Sequence, residues 1–140
     1  MVLVVDGMGG GVGRSIAEGL KEAGITDVVL VGVNSFATSN MMKSGISAVA
    51  TGENAVVYNA GRADIIVGPI GIILPNAMLG EISPVIVKAI TGSNAKKVLI
   101  PIQSECIFLT GIESRNLAQN VSEAVNRCVE YCGRGGADGV

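Results

Sequence analysis

The first fourteen residues constrain the fold of this 140-residue chain more than any other segment. Val2–Val5 is an unbroken aliphatic run, which predicts a strand buried on both faces. A glycine-rich turn follows over Gly7–Gly13, and Ile16 and Leu20 then recur at helical spacing with charged residues between them. A strand, a tight turn and an amphipathic helix are the usual beginning of a parallel α/β fold.

Further aliphatic runs alternate with helical patterns along the rest of the chain. These runs are 28–33, 46–50, 65–67 and 98–102. The alternation predicts right-handed crossovers and a three-layer Rossmann-like α/β fold, with a mostly parallel sheet of order 3-2-1-4-5. Apolar spacing from Met78 to Ile90 predicts a helix there. Residues 103–105 are too short a link for a parallel crossover, so Cys106–Thr110 is predicted to form a hairpin and an antiparallel edge strand.

Length and composition indicate one domain and exclude several classes of function. We expect the domain to span residues 1–133, with a flexible glycine-rich tail over 134–140. Hydrophobic residues make up 49% and charged residues 16%, with a net charge of −2. The chain therefore has no excess of basic residues that would favour binding to nucleic acid. The longest apolar stretch, Ile65–Leu74, is too short to span a bilayer, so no membrane association is expected. With no His in the chain, His-based catalytic triads and His metal sites are excluded, and we expect no metal.

The glycine-rich turn is the strongest functional signal. Gly7, Gly10 and Gly13 fit G-x-x-G-x-x-G, and Gly11 allows G-x-x-x-G-x-G as well. The stricter G-x-G-x-x-G fails, because Val12 stands where its last glycine would be. A phosphate at such a turn is bound by free N–H groups at the helix N-terminus. Alternatively, the glycines serve only a tight turn and close helix–sheet packing.

Candidate ligand contacts surround this turn. The candidate cofactor-binding residues are Asp6, Gly7, Gly9, Gly10, Gly11, Val12, Gly13, Arg14, Asn34, Ser35, Gly68 and Pro69. Arg14 would place a cation beside a phosphate, whereas Asp6 is expected to cap backbone N–H groups. Asn34 stands where an NAD-binding fold has the acid that binds the ribose, so NAD, NADP and a mononucleotide all stay open. Asn34 and Ser35 would bind a second phosphate or simply cap the next helix.

Two further groups of residues carry weaker signals. Gly68 and Pro69 end the fourth strand and would shape a ligand floor. Asn76 and Glu81 follow them, and either a catalytic role for one of the two or a favourable first-turn charge at Glu81 fits this position. No catalytic residue is assignable. Cys128 and Cys132 lie four residues apart on a predicted helix, where apolar packing is favoured over a metal or redox role. With Cys106 they make an odd number at no metal-like spacing, which indicates reduced thiols in a cytoplasm.

Several of these segments together resemble an uncharacterised bacterial family of short Rossmann-like proteins. The segments that carry the resemblance are 6–13, 37–39, 50–55, 64–72 and 76–82. The resemblance implies a nucleotide-binding-like fold and a cytoplasmic bacterial setting, but no reaction and no catalytic residues. The tail after Cys132 falls outside it.

The sequence therefore predicts a protein that binds NAD(P) or another nucleotide at the glycine-rich turn. Whether it is an enzyme stays open. One alternative is a small oxidoreductase whose site is completed by a second subunit. Another is a ligand-sensing or scaffold protein that keeps the fold without catalysis. The chain has a mean hydropathy of +0.53 and more aliphatic residues than a monomer of this length needs to bury, which predicts a homodimer.

Overall fold

The computed structural model describes residues 1–102, 107–113 and 115–138. The strands are β1 (Val2–Asp6), β2 (Val28–Gly32), β3 (Val49–Thr51), β4 (Ile65–Pro69) and β5 (Lys96–Ile100). The helices are α1 (Gly11–Glu22), α2 (Ser35–Met42), α3 (Glu53–Ala60), α4 (Pro84–Thr91) and α5 (Leu117–Asp138), with a 3₁₀ turn at Ile70–Ile73.

The five strands form one parallel sheet in the order β3-β2-β1-β4-β5, as the sequence predicted. β1 lies at the centre and pairs with β2 and β4, with Val2 opposite both Val28 and Ile65. All strands run the same way, so their carboxyl ends meet at a single edge of the sheet. In open α/β sheets this is the edge where ligands bind.

Helices cover both faces of the sheet, and β1 shows why. All five β1 residues are buried. Val2 and Val4 pack in one cluster with Ile16 of α1, whereas Leu3 and Val5 pack in another with side chains of α3 and α4. Because successive side chains of a strand point to opposite faces, an unbroken aliphatic strand needs a helical layer on each side. The predicted three layers are therefore present.

The predicted antiparallel edge strand is wrong. The sheet is parallel throughout, and Ile107 forms only an isolated bridge within the described part of the predicted strand. Residues 103–106, including Cys106, lie outside the described residues. Ile107 and Leu109 are exposed and Phe108 is 87% exposed. The described part of the run, residues 107–110, is therefore exposed and lacks the covering core that would hold a strand in a sheet.

The helix predicted from Met78 begins at Pro84 instead. Asn76, Met78 and Leu79 have φ angles of 66°, 58° and 56°, which are left-handed and interrupt a right-handed helix. The helix begins where Ser83 accepts a hydrogen bond from the Ile86 N–H over 3.2 Å. Ser followed by Pro is a helix-start signal in the sequence. This start signal outweighs the apolar spacing that precedes it.

Two other sequence predictions concern the chain's C-terminal part and its relation to membranes. α5 continues to Asp138. The flexible tail predicted for residues 134–140 lies partly outside the described residues and stays a prediction. Among the helices of the described ranges, none combines the length and the apolar character needed to cross a bilayer.

Candidate functional site

Asp6 fixes the glycine-rich turn to the sheet. It is the last residue of β1 and is only 4% exposed. Its Oδ1 accepts the Gly7 N–H over 2.8 Å and its Oδ2 accepts the Gly13 N–H over 2.7 Å. Burial raises the pKa of Asp6, these two hydrogen bonds oppose the rise, and the charge of Glu81 adds to it. The carboxylate therefore caps the turn, as expected from the sequence.

The glycines of the turn divide into a buried set and an exposed set. Gly7, Gly10 and Gly13 are buried. A Cβ on Gly10 would lie 2.6 Å from the Ala37 carbonyl oxygen, and one on Gly13 would lie 2.8 Å from Asp6 Cβ. Gly10 and Gly13 allow α1 and α2 to approach the end of β1, and a Cβ on Gly7 would lie 2.7 Å from Met78 Sδ. The packing interpretation of the G-x-x-G-x-x-G spacing is thus sufficient for these three positions.

Gly9 and Gly11 have a different environment. Both are exposed, and a Cβ on either would meet no atom within 4 Å. Packing therefore does not require glycine at these two positions. Gly11 begins α1, so the open space lies at the N-terminus of a twelve-residue helix, where the helix dipole is positive.

Backbone donors without an acceptor lie at this end of α1. Within the described residues, the N–H groups of Gly9, Gly11 and Val12 have no hydrogen-bond acceptor. The N–H of Gly10 donates to the Gly7 carbonyl over 2.9 Å. The first turn of α1 has no acidic side chain, and Gly10, its N-cap, offers no side-chain acceptor. An anion at this position would satisfy donors that the protein leaves to solvent.

Arg14 lies beside the turn. Its Nη1 donates to Asn40 Oδ1 over 3.1 Å, and Asn40 Nδ2 donates in turn to the Gly9 carbonyl over 2.9 Å. Its Nε pairs with Glu18 over 2.7 Å. A cation near a helix N-terminus is unfavourable against the helix dipole. Asn40 and Glu18 hold it there, at the side of α1 that faces α2.

Asn34 and Glu81 close the other side of the turn. Asn34 accepts the Ala37 N–H over 2.8 Å and so caps α2. Its Nδ2 donates to the Met8 carbonyl over 3.0 Å and to Glu81 Oε2 over 2.7 Å. Glu81 Oε1 accepts the Met8 N–H over 2.7 Å. Glu81 therefore sits at the ends of β1 and β2, not in the first turn of a helix as the sequence suggested.

The remaining candidates are more peripheral. Ser35 is exposed as the first residue of α2. Gly68 and Pro69 are buried inside β4, and a Cβ on Gly68 would lie 2.3 Å from the Val5 carbonyl oxygen. The structure thus gives Gly68 a packing role between β1 and β4. Contact of Gly68 and Pro69 with a ligand stays a prediction.

Sequence reasoning did not identify a groove between β5 and α5. Three of its lining residues are cations: Lys97, Arg115 and Arg127. Lys97 Nζ donates to the Ser93 carbonyl, Arg115 pairs with Glu113 and Glu123, and Arg127 pairs with Glu130. Because acids on the same surface pair with both arginines, the groove is less favourable for binding an anion than the turn is.

The cysteines and acids of the described ranges form no metal centre. No group of three or more metal-ligating side chains comes together there. Cys128 is fully buried in the cluster beneath α5, whereas Cys132 is exposed. Burial, together with the neighbouring Cys132, raises the pKa of the Cys128 thiol to about 12. Cys128 therefore packs as an apolar side chain.

Comparison with protein families places most of the chain in a family of unknown function. The model described as "Domain of unknown function (DUF3842)" matches residues 1–133. The chain belongs to this family. The DUF3842 match includes the turn, Asn34 and Glu81, and it ends within α5. No curated protein and no solved structure shows significant similarity to the chain.

Proposed function

We propose that this DUF3842 protein binds a nucleotide, with NAD(P) as the favoured class, and that a phosphate group of the ligand lies at the Gly7–Gly13 turn. The fold would then resemble the Rossmann fold in binding a nucleotide as well as in its strand order. The observation that carries the proposal is the set of unpaired N–H groups on Gly9, Gly11 and Val12. They lie at the carboxyl edge of a parallel sheet, next to its central strand.

Two features of the turn support an anionic ligand in particular. Gly9 and Gly11 leave the space above their backbone open, so a phosphate oxygen could come within hydrogen-bond distance of the N–H groups. Arg14 is held within the same network through Asn40. An anion at the helix N-terminus would offset the unfavourable placement of this cation against the helix dipole.

Gly11→Val is the variant that tests the proposal. A Cβ at this position meets no atom within 4 Å, and the backbone there is not left-handed, so the variant should fold. Its branched Cβ would occupy the space of the phosphate. We expect the affinity for ADP or NAD⁺, measured by calorimetry, to fall at least about tenfold, because hydrogen bonds to a charged group are lost.

Gly133→Val is the matched control. Gly133 also lies in a helix, and a Cβ there likewise meets nothing within 4 Å. The control should bind like the parent. Equal binding by Gly11→Val and the parent would remove the turn from the site.

The scaffold alternative is the second candidate function, and the buried glycines favour it. Gly7, Gly10 and Gly13 are each explained by close contacts within the protein. If the parent binds none of a panel of adenine mononucleotides and dinucleotides in a thermal-shift screen, the glycines are packing devices. The fold would then serve as a scaffold. Turnover of a reduced nicotinamide cofactor would instead favour the oxidoreductase alternative.

A further inference from the structure

We propose that Glu81 selects the nucleotide at the turn by accepting hydrogen bonds from an unmodified ribose and rejecting a ribose that carries a 2′-phosphate. This inference rests on the proposed function. It narrows the ligand class to NAD(H) or an adenosine phosphate with a free 2′-hydroxyl, and it excludes NADP(H).

The position of Glu81 is the first part of the argument. Dinucleotide-binding α/β folds hold the ribose hydroxyls with an acid near the end of the second strand. In this chain that place belongs to Asn34, which carries no charge. The loop before α4 brings a carboxylate to the same place, since Glu81 Oε2 accepts from Asn34 Nδ2 over 2.7 Å. The acid missing from β2 is thus supplied by a segment that lies 47 positions further along the chain.

The hydrogen-bonding capacity of Glu81 is the second part. An ionised carboxylate has about four acceptor positions. The Met8 N–H takes one on Oε1 and the Asn34 amide takes one on Oε2. Each oxygen therefore keeps one unused acceptor position, and two such positions match the two hydroxyls of a ribose diol. Because both oxygens are already held by the protein, little side-chain freedom would be lost on binding.

The charge around Glu81 is the third part. In the described residues Glu81 forms no ion pair, and buried Asp6 lies close enough for their charges to interact. Arg14 lies on the α2 side of the turn and is engaged by Glu18 and Asn40. A 2′-phosphate beside Glu81 would meet a carboxylate without a compensating cation, which disfavours binding.

The test compares NAD⁺ with NADP⁺ by calorimetry for the parent, Glu81→Gln and Glu22→Gln. Glu22 is exposed at the far end of α1 and makes the control for the change in net charge. We expect the parent and Glu22→Gln to prefer NAD⁺ at least about tenfold, since a charged hydrogen bond is replaced by repulsion. In Glu81→Gln the preference should fall to within about threefold.

A second comparison needs no variant and so avoids any folding defect in Glu81→Gln. ADP and 2′-deoxy-ADP differ only in the hydroxyl that Glu81 would accept. The parent should bind ADP about tenfold more tightly. Equal affinities for this pair, or NADP⁺ bound as tightly as NAD⁺, would overturn the role of Glu81 while leaving nucleotide binding intact. Binding of none of these ligands would overturn the proposed function itself.

Discussion

The backbone N–H of Gly13 donates to Oδ2 of Asp6 over 2.7 Å, and this bond ties the first turn of α1 to the end of β1. The other oxygen of Asp6 holds the N–H of Gly7. The two bonds use the donors at the ends of the turn. Among the described residues, nothing accepts the N–H groups between them on Gly9, Gly11 and Val12.

Replacing Asp6 with Asn should destabilise the protein. The amide oxygen can accept one of the two N–H groups, but the amide nitrogen would face the other, leaving a buried donor without an acceptor. We expect a loss of about 1–3 kcal/mol in the free energy of unfolding. Urea unfolding followed by circular dichroism measures it, and an unchanged midpoint would show that the cap contributes nothing.

Asp6 should also make the stability of the protein depend on pH. The pKa of Asp6 is raised in the folded protein, chiefly by burial, so the native state binds this proton more tightly than the unfolded chain. The contribution of Asp6 is therefore fully present below the ordinary pKa of Asp and is lost as the pH rises through the folded pKa. Subtracting the Asp6→Asn stability profile from that of the parent should expose this decline. A difference that is flat across this pH range would contradict it.

Replacing either of two adjacent glycines with alanine should change the stability of the protein by very different amounts. Gly10 has a φ of 74° and its added Cβ would lie 2.6 Å from the Ala37 carbonyl oxygen, so Gly10→Ala should cost about 2–4 kcal/mol. Gly9 is open, and Gly9→Ala should change stability by no more than about 0.5 kcal/mol. Equal effects in thermal or urea unfolding would refute the division of the glycines into a packing set and an open set.

The sequence predicted the part of the fold that local pattern determines. β1, the turn and α1 follow one another within 22 residues, and their apolar periods and glycines suffice to place them. The strand order also followed from the alternation of elements. The incorrect edge strand at Cys106–Thr110 shows the limit of this approach, because an apolar run forms a strand only where a core covers it.

The candidate site was predicted less completely than the fold. Spacing alone could not separate Gly10 from Gly9, since the neighbour that requires glycine at position 10 is Ala37 on another helix. The position of Glu81 could also not be predicted from the sequence. Asn76, Met78 and Leu79 have left-handed φ angles in the loop that brings Glu81 to the Met8 N–H, and non-glycine residues give little sequence signal for that conformation.

Cysteine reactivity should differ sharply along α5. Cys128 is buried with its pKa raised to about 12, whereas Cys132 is exposed. Iodoacetamide should therefore label Cys132 in the native protein and label Cys128 only after urea is added. Peptide-resolved mass spectrometry separates these sites from Cys106. Rapid native labelling of Cys128 would contradict the packing described for α5.

We expect the chain to form a homodimer through its β5 side. β5 is an edge strand in the described sheet, and apolar side chains are exposed in the segment that follows it. These are Ile102, Ile107, Phe108, Leu109 and Ile112. Light scattering should give a mass near 28.4 kDa, twice 14.2 kDa. Phe108→Ser should shift the mass toward the monomer with a stability change within about 0.5 kcal/mol, whereas a monomeric parent would refute the prediction.

The most direct test of nucleotide binding at the turn is an NMR titration of the ¹⁵N-labelled protein with ADP. We predict that the amide resonances of Gly9, Gly11 and Val12 shift progressively and more than any others, because their N–H groups would donate to the phosphate. The Gly133 amide should stay in place. Saturable shifts confined to the groove around Arg115 and Arg127, or no shifts at all, would contradict the account.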